Sequence, residues 1–323
     1  MSQDTAQHRT QVGQPEARPL GPDSLTWKYF GDWRGLLLGP WAGSLQNMHP
    51  QLGAAVEHHS IFFVERWQRL FRSLYPINGV VFDGDRAPAT GRQVRDYHRG
   101  ISGVDASGRK YNALDPGTFF WAHSTFVMSI AVVNEYWGKS LTDDELEQLW
   151  QEGLQWYGLY GMPMRDLPAT WAEFQRYWDH MCESVLEDNK ATRGVLDLSE
   201  LDKPPNLGWL PDPVWETVLR PVVQRVFIWM TVGMYDDSVR RRLGYTWGPV
   251  DEAALRALGR VVRYGWNLLP PRLRSQPRRW DALQRARGKV PADAPLVEAP
   301  DKFLPPPEYR DSPNLYVPNR HRS

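Results

Sequence analysis

Eight histidines and a single cysteine are the side chains best suited to hold a metal or a cofactor. His8 and His321 fall in the terminal segments, which leaves His49, His58, His59, His98, His123 and His180. None forms a His-x-x-x-His or Glu-x-x-His pair, so a helix-borne zinc or di-iron site is not indicated. Cys182 lacks the Cys-x-x-Cys-His of covalent haem, the paired spacing of zinc and cluster sites, and the glycine-bearing loop of a haem-thiolate ligand. It reads as a small core residue. No Gly-x-Ser-x-Gly and no phosphate-binding glycine loop is present. His123 is different, because it lies in a stretch, Pro116 to Asn134, without any acidic or basic residue. An imidazole in such a helix is costly to bury unless something binds it. A haem needs only one proximal imidazole, since the macrocycle fills the equatorial positions. By position alone a satisfied core histidine is the commoner case, and both readings stand.

A second group lies upstream. The pattern from Ile61 to Tyr75 predicts a helix that places Arg66, Arg69 and Ser73 on one face, with Trp67, Leu70, Phe71 and Leu74 on the adjoining apolar face. Arg72 lies beside Ser73. Cations next to a hydroxyl can bind propionates or hydrogen-bond a reacting oxygen. The plainer reading is an exposed basic edge with a Glu65–Arg69 ion pair.

The elements that must position these residues are helices, and the fold class expected is all-α. Thr142-Asp-Asp-Glu145 is a capping box ahead of Leu146, Leu149, Trp150 and Leu154, and Thr170-Trp-Ala-Glu173 is a second one ahead of Phe174, Tyr177, Trp178 and Met181. Further helical patterns cover Leu25 to Leu38, Pro50 to His59, Thr90 to Gly100, Pro213 to Thr231 and Asp251 to Trp266. Gly79-Val-Val-Phe-Asp-Gly84 is the one run that could pair as a strand and reads as a connector, and Asp105-Ala-Ser-Gly108 reads as a tight turn. Residues 1–22 and 290–323 are polar and Pro-rich, so the expected division is a disordered N-terminal segment (1–22), one helical domain (23–289) and a Pro-rich tail (290–323).

Composition narrows the function. A formal net charge of zero offers little to a polyanion, so neither nucleic acid nor an anionic membrane is an expected partner. The Pro116–Asn134 stretch approaches the length of a membrane span, but His123, Ser124, Thr125 and Ser129 interrupt it, and a central buried helix is the better reading. One cysteine and an N-terminus without the apolar core of a signal peptide fit the cytoplasm. The 16 tryptophans are compatible with an aromatic-lined cavity or with a Trp-rich core.

The order of short motifs is more specific than any one of them. His49-Pro50-Gln-Leu-Gly-Ala-Ala-Val56-Glu-His-His59-Ser60, Arg69-Leu-Phe-Arg72-Ser73, His98-x-x-Ile101-x-Gly103, Tyr111-Asn-Ala113-Leu-Asp-Pro116, Trp121-Ala-His123-Ser-Thr125, Gly161-Met-Pro163 and Leu167-Pro168 follow one another in register. Together they resemble the oxygenase family of the fungal MpaB proteins and the catalytic domain of bacterial rubber oxygenase. The resemblance implies a single all-α bundle around a non-covalent b-type haem, with iron on a histidine matching His123. It implies a catalytic cluster of Arg69, Arg72 and Ser73 on the distal side, where Arg72 stands for a lysine and Ser73 for a threonine. His49 and His98 are secondary candidates for lining the cavity or contacting a propionate. Dioxygen and an apolar alkene, isoprenoid-like or aromatic, are the expected partners, with carbonyl products. Val127 departs from the rubber enzymes, which carry an arginine one helical turn after the ligand. With the tryptophan excess, that points to a closed cavity for a discrete small molecule. The alternative from another class is an all-α haem or small-molecule binding protein without turnover.

Overall fold

The computed structural model describes residues 18–309 apart from 61 and 64. In chain order it contains α1 (Leu25–Tyr29), α2 (Gly39–Met48), α3 (Pro50–His59), α4 (Arg66–Phe82), α5 (Ala87–Asp96), the hairpin β1 (Ser102–Val104) and β2 (Lys110–Asn112), α6 (Pro116–Trp137), α7 (Asp143–Leu159), α8 (Trp171–His180) and α9 (Lys190–Leu196). A single turn, α10 (Asp212–Val214), runs through a π-turn (Trp215–Leu219) into α11 (Arg220–Met234), followed by α12 (Asp237–Leu243), α13 (Pro249–Asn267), α14 (Pro271–Arg274) and α15 (Pro277–Ala286). The class is all-α, as expected. The one sheet among the described residues is the antiparallel hairpin, Gly103 opposite Tyr111, turning through the Asp105–Gly108 segment.

The core is built around α6. Asp115 opens the helix, its Oδ1 accepting from Thr118 N at 3.0 Å, and the chain leaves the helix at Gly138. Length and composition alone would let α6 cross a membrane, but 61% of its apolar window is buried, against α2, α7 and α13. Tryptophan does most of the filling. Trp41, Trp121, Trp137, Trp150 and Trp156 are fully buried, Trp150 stacks on Phe174 at 4.0 Å, and Trp121 lies 4.9 Å from Trp178. Each such ring removes a large apolar surface from water, so much of the tryptophan excess is core.

Local capping sets some helix ends, and tertiary contacts set others. The box at Thr142 is complete in both directions. At Thr170 only one half forms, because the Glu173 carboxylate takes Ala169 N instead. The helix expected over Leu25 to Leu38 breaks after α1. Gly31 takes φ +70°, a left-handed conformation that favours glycine, and a Cβ there would come within 2.8 Å of Asn78 Oδ1. The Gly79–Gly84 run is no connector. It carries α4 on to Phe82 past Pro76, whose missing N–H forfeits one helical hydrogen bond, because Val80, Val81 and Phe82 are buried in the core. Phe62, Phe63 and Glu65 of the expected Ile61 helix are not helical, α4 beginning at Arg66, and Ile61 and Val64 lie outside the described residues.

Two polar locks fix the ends of the bundle. Glu152 of α7 accepts from the backbone N–H groups of Leu25 and Thr26 at 2.9 and 2.8 Å, meeting the unpaired donors at the start of α1. Arg278 of α15 clamps Asp83 at the end of α4 through Nε and Nη2, at 2.8 and 2.5 Å, and Thr90 of α5 donates to the same carboxylate. Both side chains of that pair are buried.

Candidate functional site

His123 sits two turns into α6 and is 2% exposed. Burial pushes its imidazole down to about 4, so the ring is neutral near pH 7. Its Nε2 lies 2.8 Å from the carbonyl oxygen of Gly153 on α7. A carbonyl can only accept, so the single ring proton is on Nε2 and the lone pair on Nδ1. That Nδ1 is buried and has no hydrogen-bond partner among the described residues. One nitrogen is therefore anchored through its proton while the other offers an unclaimed lone pair. Metal-bound imidazoles are commonly arranged so, the second nitrogen fixing tautomer and orientation.

Gly153 explains how α7 comes so near. A Cβ at this position would meet Val127 Cγ2 at 2.9 Å, so only glycine lets the α7 backbone lie over Val127 and bring its carbonyl to the ring. Val127, the departure from the rubber enzymes, is fully buried in this contact. The same face of α7 supplies Trp156, Tyr157 and Tyr160, whose ring centroids lie 5.0, 5.3 and 5.8 Å from that of His123. Sequence reasoning missed all four residues. The signal was their spacing, Gly153-x-x-Trp156-Tyr157-x-x-Tyr160, which repeats at three and four residues along one helix face.

The second group assembles next to this one through a chain of contacts. Phe119, one turn before His123, meets Tyr157 and Tyr160 at 6.2 and 5.2 Å and His98 at 5.7 Å, edge to face. His98, just beyond α5, donates from Nδ1 to Val94 O at 2.8 Å. Burial lowers its pKa, and the nearby Arg69 charge lowers it further. Arg69 donates to Ser73 Oγ, and that hydroxyl donates back to the Arg69 carbonyl at 2.9 Å. Desolvation first, and the adjacent Arg72 second, bring the Arg69 guanidinium to about 10, which still leaves it a cation at neutral pH.

Arg72 faces elsewhere, toward the Glu65 carboxylate at 3.8 Å and the Phe303 carbonyl at 3.4 Å. The ion pair expected between Glu65 and Arg69 is thus made by Arg72, and Arg69 is no part of an exposed basic edge. Phe303 belongs to the strand-free segment after α15 and stacks on Phe71 at 4.5 Å. Arg66 reaches the Gly194 carbonyl at 3.2 Å.

His49 has a different setting. It lines a cleft of about 260 Å³ with Gln51, Asp105, Arg109, Lys110, Tyr111 and Val185. Burial holds it down to about 4, and its Nδ1 is also unpartnered. No hydrogen bond or ring contact joins it to His98, Arg69 or Ser73 among the described residues. His58 and His59 both turn to the Tyr111 hydroxyl, at 2.8 and 3.1 Å. No three His, Cys, Asp or Glu side chains converge as a metal cage among the described residues, which leaves single-residue ligation as the arrangement on offer.

Over residues 27–264 the chain matches the sequence profile of a family described as ER-bound oxygenase mpaB/B'/rubber oxygenase, catalytic domain. The chain belongs to this family. The matched span runs from within α1 to the last turn of α13 and includes Arg69, Ser73, His98, His123 and Gly153. An oxygenase family places the chain among oxidoreductase-type proteins and makes dioxygen and an organic substrate its natural partners. No curated protein and no solved structure matches the chain.

Proposed function

We propose that this member of the family is a haem b-dependent oxygenase acting on an apolar small molecule with an isoprenoid-like or aromatic double bond. One observation carries the reading: His123 is buried and neutral, anchored through Nε2, and has a lone pair on Nδ1 that none of the described residues uses. The donor chemistry fits a haem, which asks the protein for one neutral imidazole and supplies iron able to activate dioxygen. His123 would hold it through the unclaimed nitrogen. Gly153 would keep the ring in one orientation and tautomer, and the Nε2–H bond to its carbonyl raises the basicity of the other nitrogen. Trp156, Tyr157 and Tyr160 exclude water around the imidazole. Arg69 is a permanent donor in a desolvated setting, where its charge acts more strongly on a developing negative oxygen than in water. Ser73 holds the guanidinium in place, and His98 is the neutral group between this pair and Phe119. Arg72, directed to Glu65 and Phe303, has the weaker claim to a distal role. His49 has a weaker claim to the cofactor than His98.

Purified protein supplied with haem should show a Soret band and about one haem per chain, as single-residue ligation requires. His123→Ala should lose the haem, whereas His180→Ala, altered on α8, should keep it. Equal haem content in the two variants, or colourless and iron-free wild type, overturns the reading. Haem uptake without oxygen consumption across a panel of apolar alkenes would instead support the non-catalytic binding protein.

A further inference from the structure

α13 turns Leu255 and Gly259 into the core and leaves its opposite side uncovered. Val250, Val261, Tyr264 and Leu268 are 82%, 69%, 67% and 85% exposed. With the exposed Ala254 and Ala257 they recur at alternating intervals of four and three residues, which is one continuous stripe of a helix. The stripe does not end with the helix. Beyond Asn267 the chain presents Leu268, Leu269 and Leu273 around Pro270-Pro271, all of them exposed. Apolar side chains held in water at this density on one edge of a helical protein mark a surface meant to be covered.

The charges beside the stripe say by what. No Asp or Glu occurs between Glu252 and Asp281. Arg256 is neutralised by Glu252 and Glu135, but Arg260, Arg263 and Arg272 have no carboxylate partner among the described residues. Arg263 lies over the Tyr264 ring at 5.8 Å. The face is therefore apolar and positive at once, although the whole chain has a formal net charge of zero.

We propose that the exposed face of α13, with Leu268, Leu269 and Leu273, docks in the plane of an anionic lipid bilayer. The leucines and Val261 would enter the headgroup–acyl boundary, Tyr264 would sit at headgroup depth, and the arginines would meet lipid phosphates. A second copy of the chain fits the same stripe poorly. Pairing about a two-fold axis would bring Arg260 and Arg263 toward their own counterparts, with no carboxylate on the face to offset them. The proposal is independent of the haem reading, since none of these residues touches His123, Arg69 or Ser73.

The test is co-sedimentation of the full chain with vesicles of phosphatidylcholine alone and of phosphatidylcholine with about one-third phosphatidylserine. The protein should pellet with the anionic vesicles, release at high salt, and stay in solution with the neutral ones. Arg260→Gln and Arg263→Gln should each lower the partition coefficient about fivefold. Leu268→Asp combined with Leu273→Asp should lower it about tenfold or more. Val104→Asp, an exposed apolar residue of the hairpin, should leave it unchanged. All these side chains are at the surface, and far-UV circular dichroism should show native helix content throughout. Failure of the wild type to bind anionic vesicles overturns the proposal, as does binding unchanged in the arginine and leucine variants. A concentration-dependent dimer abolished by Leu268→Asp, without vesicle binding, would assign the face to a second copy.

Discussion

Acid should destabilise this protein in part through its buried imidazoles, and His123→Gln isolates the share of one of them. The His123 ring titrates near 4 in the folded chain against an ordinary value of 6.5, because burial disfavours its charged form. The unfolded chain therefore takes up a proton first as pH falls. Stability from this group is complete above about pH 6.5, declines between about 6.5 and 4, and changes no further below that. Working the two titrations through at pH 4.5 gives a loss of about 2.5 kcal/mol relative to pH 7. His49, also lowered to about 4 by burial, follows the same sign and the same window. Urea denaturation of the haem-free protein at pH 7 and pH 4.5 measures the drop. Carboxylates titrate alike in both proteins, so the difference between wild type and His123→Gln reports His123 alone. The variant should lose about 2.5 kcal/mol less than wild type on acidification. Equal drops would show that the ring is not desolvated in the folded state, and the argument for an unclaimed neutral nitrogen would fall with it.

Three further outcomes are expected. Gly153→Ala pushes a methyl to 2.9 Å from Val127 Cγ2 and should cost about 1–3 kcal/mol of stability, part of it recovered by Val127→Ala in a double-mutant cycle read by denaturant midpoints. Asp83→Asn leaves the buried Arg278 guanidinium with only the exposed Glu298 carboxylate, 3.8 Å away, and should cost about 3–5 kcal/mol, seen as a large fall in Tm, whereas a loss below about 1 kcal/mol would mean that water or Glu298 compensates the charge. Cys182 is buried, and burial together with Asp236 raises its thiol well above the ordinary range, so thiol reagents should label it only after denaturation.

The helical class, the start of α7 and the limits of α3 were legible because they rest on local physics. Capping at Thr142 satisfies donors within one turn, and Pro50 at the first turn of α3 costs no hydrogen bond. The burial of His123 was legible for a similar reason, since an uncharged stretch interrupted by His123, Ser124, Thr125 and Ser129 suits a protein core better than a bilayer. Its partner was not. Gly153 and the rings of α7 come from thirty and more residues away, and what brings them to the imidazole is the close approach of two helices that a glycine permits. Burial likewise carried α4 through Pro76, where one lost hydrogen bond is outweighed by three apolar side chains placed in the core. The swap of Glu65 from Arg69 to Arg72 was equally out of reach, since Arg69 stands at the four-residue spacing of a helical pair and Arg72 at seven, and only packing, which desolvates Arg69 and turns Glu65 out of the helix, reverses the choice. α13 shows the division most clearly. Its sequence displays apolar residues around much of the helix, and periodicity alone cannot say which of them face inward. Only the tertiary structure does, by packing Leu255 and Gly259 against the bundle and leaving Val261, Tyr264 and Leu268 in water, because burial is a property of the surfaces that meet and not of the residues that supply them.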